Sequence, residues 1–496
     1  MSVLLNGETL DLPKLDLIAN GLAVHLCDKG LAKMSAAREV IDQVIATKDP
    51  VYGVTTGLGP RVVDLLADDS IDSFSLNTIR GRAHGVGNPL KRQWVRAGMA
   101  VRANTLLTGA AGARPALAQH ICSCLNADVV PSIPESGTIG VADLTWGGAL
   151  GLALIGEGEI IDNEGNTSSS KQAMQQAGIE PFQPQPREGL ALVSHSCLTA
   201  GVTAMGWFQV QRCLEAAQTT AALSMEAFRA NLSQLDPSVL ALRPQPGQLQ
   251  AADGLRKRLQ GSVLFCQNEA RRLQDPLSLR NVAQVHGAVY AAMDAVAEAL
   301  QYELNGASDN PAVVVESGKV ISNGGYLPPH LCITLVAASQ SMVHLAALQV
   351  SRMSKLLFKR FSALPNGLSF VGADGAGLAP LLKPAEALFA EVAHLATPPA
   401  IYPGMSADGL EDVQTHTAIP ARSLFEIATR LRQLAAIEAI IAAQAIDLRK
   451  LHNLPPALHT VYTVVREVSG QVRQDRPLGI EIDMLAARIE TGAFNL

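Results

Sequence analysis

Aromatic residues are scarce in this chain of 496 residues: three tryptophans, six tyrosines and eleven phenylalanines make up 4% of it. With alanine and leucine heavily used instead, the composition favours helices packed on helices over a β-sandwich. A basic excess is also lacking. The formal net charge is −6, which gives no reason to expect a nucleic-acid partner. The one basic knot, Arg256-Lys257-Arg258, reads as a solvated helix face. The apolar runs at 147–156 and 435–446 are too short, or too interrupted by Glu438 and Gln444, to cross a membrane. The opening MSVLLNGETLDLPKLDL has neither a basic segment nor a long apolar run, so no secretory signal is expected. Seven cysteines, at 27, 122, 124, 197, 213, 266 and 332, are odd in number and widely spaced. They read as free thiols in a reducing, cytoplasmic compartment. Cys122-Ser123-Cys124 has no second pair at metal spacing and reads as helix filling; no metal cluster or nucleotide loop is expected.

What is present is helical periodicity. Apolar residues recur at helical spacing over 198–231, 254–272, 282–304, 329–361, 384–396 and 421–449. Long helices joined by short loops predict a long bundle. Before it, residues 1–50 read as a short strand-like start followed by helices, one of them capped by Ser35 and ended by Asp49-Pro50. The polar stretch 161–187, with its serine run and three prolines, marks a domain boundary. The expected division is a loop-rich region over 1–190 and a helical bundle over 191–496.

The central feature is residues 129–159, VVPSIPESGTIGVADLTWGGALGLALIGEGE. It is a loop broken by Pro131, Pro134, Gly137 and Gly140 that runs into an apolar helix from Leu144 to Ile155. Such a loop presents backbone N–H groups and a positive dipole end, a natural place for an anion or an electrophile. Residues 51–60, VYGVTTGLGP, form a second glycine-rich loop, and it carries Tyr52. Other short stretches stand out in order along the chain: IRGRAHGVGNPL at 79–90, EGLALVSHS at 188–196, QDPLSLR at 274–280, NGASDNP at 305–311, SNGGYL at 322–327 and SADGLED at 406–412.

Together these stretches resemble the motifs of the aromatic amino acid ammonia-lyases, most closely histidine ammonia-lyase, over residues 40–450. The resemblance implies an all-α fold, the long antiparallel helix bundle of the aspartase/fumarase-like superfamily. It also implies a homotetramer whose sites gather loops from several subunits. In the family, Ala-Ser-Gly in the central loop cyclises to an electrophilic methylidene-imidazolone (MIO) ring. Here Gly137-Thr138-Ile139-Gly140-Val141-Ala142-Asp143-Leu144 stands in that place, one residue shorter. Val141 and Ala142 occupy the triad, so no MIO group and no other cofactor is expected. Glu135-Ser136-Gly137, a few residues upstream, is the only nearby serine-glycine pair that could cyclise instead.

The same resemblance assigns roles. Tyr52 matches the general base that acts on the substrate β-carbon; a phenol serves as a base only where its anion is stabilised. Arg280 matches the arginine that clamps the substrate carboxylate, and Asn310 an asparagine that also touches it. Glu411 is placed on the family's glutamate, as an acceptor for the substrate amine or a base. Arg82 falls where the family has a substrate-selecting histidine, with His84 two residues on. Ser194 replaces the asparagine that meets ring and amine, Tyr326 the ring-stacking phenylalanine, Leu327 a histidine, and Leu277 the second catalytic tyrosine. The implied function is a MIO-independent lyase or cyclase acting on an amino acid or related carboxylate. Its leaving group would be better than ammonia, or the step would be an addition or a ring closure. The alternative is a catalytically inactive homologue that binds an amino-acid-like ligand or pairs with an active paralogue.

Overall fold

The computed structural model describes residues 2–67, 70–399 and 403–495. Helix accounts for 60% of the chain and strand for 7%, an all-α fold of the aspartase/fumarase-like helical type. Among the described residues, the strands pair into four two-stranded sheets. At the start, Ser2–Leu5 pairs in parallel with Ala23–Leu26 across the helix Leu12–Ala19, whose first turn is capped by the Asp11 side chain. The next helix is Asp28–Thr47. It does not begin at Ser35: Cys27 is its N-cap, and the Ser35 hydroxyl donates back to Leu31 O at 3.2 Å inside the helix. Cysteine is outside the usual capping set, so the true start carried no sequence signal.

The long helices are Cys197–Phe228, Val282–Asn305, Pro329–Leu357 and Ala418–Arg449, with Leu382–Leu395 shorter. All lie within a few residues of the expected ranges. The stretch 254–272 does not, because its helix is Gln248–Arg258. Gly261, at φ 91°, then turns the chain away, and only a single 3-10 turn at Val263–Phe265 follows. The basic knot that ends this helix is not a solvated face. Arg258 is buried, its guanidinium 2.5 Å from Glu215 Oε2 and 2.8 Å from Thr219 Oγ1. Arg256 donates to Leu235 O at 2.6 Å.

By length and composition, Glu188–Phe228 and Pro329–Leu357 are apolar enough to cross a membrane, a property the sequence expectation did not include. In the first, 94% of the apolar window is buried inside the protein, as a core helix would be. The seven cysteines are all free.

Contacts divide the chain into two compact units. The first comprises residues 1–205, 297–333 and 399–422; the second comprises 206–296, 334–398 and 423–496. The division therefore differs from the one expected at 190/191. The polar stretch forms the hairpin Glu159–Ile161/Thr167–Ser169 and the short helix Ser170–Gln176. It then leads into Glu188–Val193, every residue of which is buried in the first unit. A run of polar surface residues marks an excursion of the chain, and here the excursion returns to the unit it left.

Within the first unit, the helix Leu144–Leu154 packs on Ile71–Arg80 and on Glu188–Val193. Arg102 and Asp309 form a fully buried, two-pronged ion pair there at 2.8 and 3.1 Å. Within the second unit, Arg352 and Glu438 do the same, and Thr220 and Ser224 add hydroxyl donors to the carboxylate.

Candidate active site

The loop over residues 51–59 folds back on its own tyrosine. Val51 O accepts the N–H groups of Val54, Thr55 and Thr56. This tight turn brings the Gly59 N–H to the Tyr52 hydroxyl oxygen at 3.1 Å. The phenol oxygen thus already receives one backbone donor.

The central loop is held on three sides. Thr415 Oγ1 donates to Gly140 O at 2.9 Å, and His416 N donates to Ile139 O at 3.0 Å. Gly140, at φ 77°, admits this approach because a Cβ there would lie 2.2 Å from Thr415 Oγ1. The Ala142 N–H donates to Tyr326 O at 3.2 Å and the Asp143 N–H to His195 O at 2.7 Å. Ala142 itself sits at φ 53°, a left-handed conformation that costs a side-chain-bearing residue energy. The Asp143 carboxylate is buried. It accepts from Thr199 N at 2.8 Å and Thr199 Oγ1 at 2.5 Å, and burial pushes its pKa up to about 6.

These loops border a cavity of about 430 Å³ in the first unit. Tyr52, Arg82, Val141, Ser194, Asn310, Tyr326 and Glu411 all line it. Arg82 reaches the wall because Gly148 lets its backbone pass: a Cβ at Gly148 would lie 2.6 Å from Ala83 N. Burial lowers the Arg82 pKa, with Tyr52 and Glu411 opposing that shift. Burial raises the Glu411 pKa, opposed by Arg82. Burial also raises the Tyr326 pKa, and Tyr52 and Glu411 add to it. Asn310 Oδ1 accepts the Asn323 N–H at 2.9 Å, which fixes its amide at the rim.

Several sequence-derived positions do not line the cavity. Arg280 belongs to the second unit, donates to Gln274 Oε1 at 2.6 Å, and borders a different pocket with Asp275 and Gln284. Leu277 is in the same unit and is 62% exposed. His84 is exposed and does not line the cavity, because the chain has turned outward by the residue after Ala83. Ala142 backs the loop without lining the cavity. The apolar wall, formed by Leu58, Val62, Leu144, Leu190 and Leu410, was missed. Nothing in a leucine or valine distinguishes a cavity wall from a core position in sequence. Among the described residues, no group of three or more His, Cys, Asp or Glu is placed to hold a metal ion.

A helical fold with glycine-rich loops that surround a phenol, a guanidinium and a carboxylate belongs to the helical lyases. Within that class, the chain is a member of the aromatic amino acid lyase family, whose model matches residues 10–467. It is 31% identical over 488 residues to the histidine ammonia-lyase of Symbiobacterium thermophilum, covering 98% of this chain and 96% of that one. Among solved structures, it is similar to ergothionase, the ergothioneine-degrading enzyme of Treponema denticola, in complex with desmethyl-ergothioneine sulfonic acid. The TM-score is 0.96 at 28% identity, over the whole of both chains. Histidine ammonia-lyase of Trypanosoma cruzi matches with a TM-score of 0.90 at 28% identity, over 100% of this chain and 94% of that one. Tyrosine aminomutase of Streptomyces globisporus gives 0.92 at 26% identity, over 100% and 98%.

Proposed function

We propose that the protein is a carbon–nitrogen lyase that works without an MIO ring, on an amino-acid derivative whose amine is already a good leaving group. The observation that carries this reading is the combination at one cavity. A phenol, a guanidinium and a carboxylate line it together with Val141, and the Val141-Ala142 segment at the ring-forming position offers no hydroxyl to lose as water. The N–H groups of Ala142 and Asp143 are committed to Tyr326 O and His195 O, so the residues present do not fit the ring. Ser136 is no substitute. It pairs with Val86 in an extended ladder, and Gly137 O is taken by the Thr145 hydroxyl at 2.8 Å.

The chemistry follows from that deficit. Tyr52, as phenolate, removes the β-proton. The C–H electron pair becomes the Cα–Cβ double bond, and the Cα–N pair leaves on nitrogen. Free ammonia is a poor leaving group in such a step, whereas a quaternary ammonium departs as a neutral tertiary amine and needs no proton. The Treponema denticola relative degrades ergothioneine, which carries its amine as trimethylammonium. Tyr52, Tyr326 and Glu411 share the cavity wall, and aromatic rings with a carboxylate are the chemistry that suits such a cation. Arg280 holds the substrate carboxylate with Asn310. Arg280 borders another pocket of its own chain, and in this reading a second copy of the chain brings its arginine to the carboxylate. The free cysteines accord with a reducing, cytoplasmic setting.

The test is turnover of trimethylammonium amino acids, ergothioneine and histidine betaine among them, beside unmodified histidine. Release of trimethylamine with formation of the unsaturated acid is expected, from a chain of unmodified mass. A mass lower by two waters, with ammonia released from histidine, would overturn the reading.

A further inference from the structure

The second unit carries a cleft of about 700 Å³ that shares no lining residue with the catalytic cavity. Its charged lining is three arginines, Arg256, Arg271 and Arg272, against one aspartate, Asp236, in a chain whose formal net charge is −6. Arg256 is accounted for, since it pairs with Asp253 and donates to Leu235 O. The other two are placed by the end of the helix Cys197–Phe228. Arg229 follows that helix at φ 59°, and its carbonyl accepts the Arg271 N–H at 3.0 Å, which pins the loop to the helix end. Both guanidiniums then pack on one ring, their Cζ atoms 4.5 and 6.0 Å from the Phe228 centroid. Both Nη2 atoms donate to one oxygen, Phe361 O. Arg271 Nε also donates to Phe228 O at 3.3 Å, and Arg272 Nη2 to Arg360 O at 2.9 Å.

Carbonyls at the ends of helices are natural partners of cations, so these contacts alone describe a cap. They leave Nη1 of each arginine without a partner among the described residues, where neither arginine has an ion pair. Asp275 favours the Arg271 charge, but its Oδ2 accepts the Asn231 N–H at 2.6 Å and it pairs with neither guanidinium. Two like charges that meet at one oxygen repel each other, and both gain from an anion that bridges them. Leu232, Leu235, Leu264 and Phe265 make the rest of the wall largely apolar. We propose that this cleft is a second ligand site that takes an organic anion, its carboxylate or phosphoryl group bridging Arg271 and Arg272 and its apolar body against the leucines and Phe265. Asn231, Ser233 and Leu273 are common to this cleft and to the pocket that Arg280 borders, so the ligand sits beside Arg280 without occupying the substrate's place.

Cys266 lines the cleft and is exposed, which makes its alkylation a local reporter in the intact protein. The experiment follows the rate at which iodoacetamide modifies Cys266, located by peptide mass, with cinnamate, phenyl phosphate or inorganic phosphate present. Cinnamate or phenyl phosphate, according to which oxyanion the arginines prefer, should slow the reaction about tenfold, the scale of a hydrogen bond to a charged group. Half-buried Cys27 in the first unit should react as before. Inorganic phosphate, which lacks the apolar body, should slow Cys266 far less. Arg271→Gln should abolish the protection, Arg271→Lys should keep part of it, and Arg280→Ala should keep all of it. The wild-type comparison needs no variant, so a loss of the helix cap in Arg271→Gln does not blunt the test. No protection by either organic anion overturns the proposal, as does equal protection by inorganic phosphate. Protection that vanishes in Arg280→Ala overturns it by assigning the anion to the substrate's clamp. A Cys266 that resists alkylation without any anion present shows another chain covering the cleft and overturns it too.

Discussion

Two arginines of the first unit occupy opposite electrostatic situations. Arg102 is fully buried, and its guanidinium meets the Asp309 carboxylate with two prongs and Ala191 O with a third contact. Burial disfavours its charge, but Asp309 outweighs burial and its pKa is raised. Arg82 is less buried, yet burial wins and its pKa is lowered, because Tyr52 and Glu411 offset burial only in part. The same side chain is therefore scaffold in one place and open to a ligand in the other. What separates the two is whether the backbone delivers a partner. Asp309 immediately precedes Asn310 in the chain, so the pair with Arg102 also anchors the segment that carries Asn310 to the cavity rim.

The largest expected effect breaks the chemistry and leaves the scaffold. Tyr52→Phe should lower turnover of a trimethylammonium substrate by roughly a thousandfold, the scale of a lost general base. Ligand affinity should stay within about threefold. A variant that keeps most of its turnover would remove Tyr52 from the mechanism. Mixing inactive Tyr52→Phe and Arg280→Ala chains and reassembling them should restore turnover, because some sites then draw each group from an intact copy.

The second experiment addresses the two arginines directly. Arg102→Met leaves Asp309 buried without its cation and should destabilise the protein by about 3–5 kcal/mol. Arg82→Met removes an unpaired, half-buried charge and should leave the urea midpoint within about 1 kcal/mol of wild type, or raise it. Equal losses would mean that the two sites are not distinct in kind.

The sequence carried the long helices and most of the cavity for the same physical reason. Amphipathic periodicity records burial, and glycine-rich loops record close backbone approaches. Gly140 under Thr415 and Gly148 under Arg82 are such approaches, and both lie in stretches that stand out in the sequence alone. Arg280 and His84 show the limit. Both sit in motifs with the right residues, but a motif states what a residue is and not which pocket it borders or which side of a turn it faces. The Arg258–Glu215 pair shows a second limit. Three consecutive cations look like surface, and only the fold of the helix over 248–258 reveals that one of them points inward.

The central loop offers a pH test of the same contrast. Asp143 has its pKa raised by burial from 3.8 to about 6, so the folded chain binds a proton more tightly there than the unfolded chain does. Its contribution to stability is full below pH 4 and is lost as pH rises through 6; above that it is flat. The loss amounts to at most about 3 kcal/mol, because every pH interval of one between the two pKa values contributes ~1.4 kcal/mol. Asp143→Asn keeps an acceptor for Thr199 and should flatten this part of the urea-midpoint profile. A profile that still declines between pH 4 and 6 by the same amount would assign the titration to another group.

The smallest effect concerns the cation side of the cavity. Glu411 is half-exposed, and burial raises its pKa while Arg82 holds that rise in check. If its carboxylate receives the substrate's ammonium, binding needs it ionised. Affinity for a betaine should then weaken on acidification, starting at a higher pH than an ordinary glutamate would give. Glu411→Gln should bind several-fold more weakly at neutral pH, the scale of one partly solvated charge contact, and should lose that acid limb. The limb should also move with Arg82. In Arg82→Gln the restraint is gone, the Glu411 pKa rises further, and the weakening should begin at a still higher pH. An acid limb unchanged in Arg82→Gln would mean that the two charges do not sense each other across the cavity.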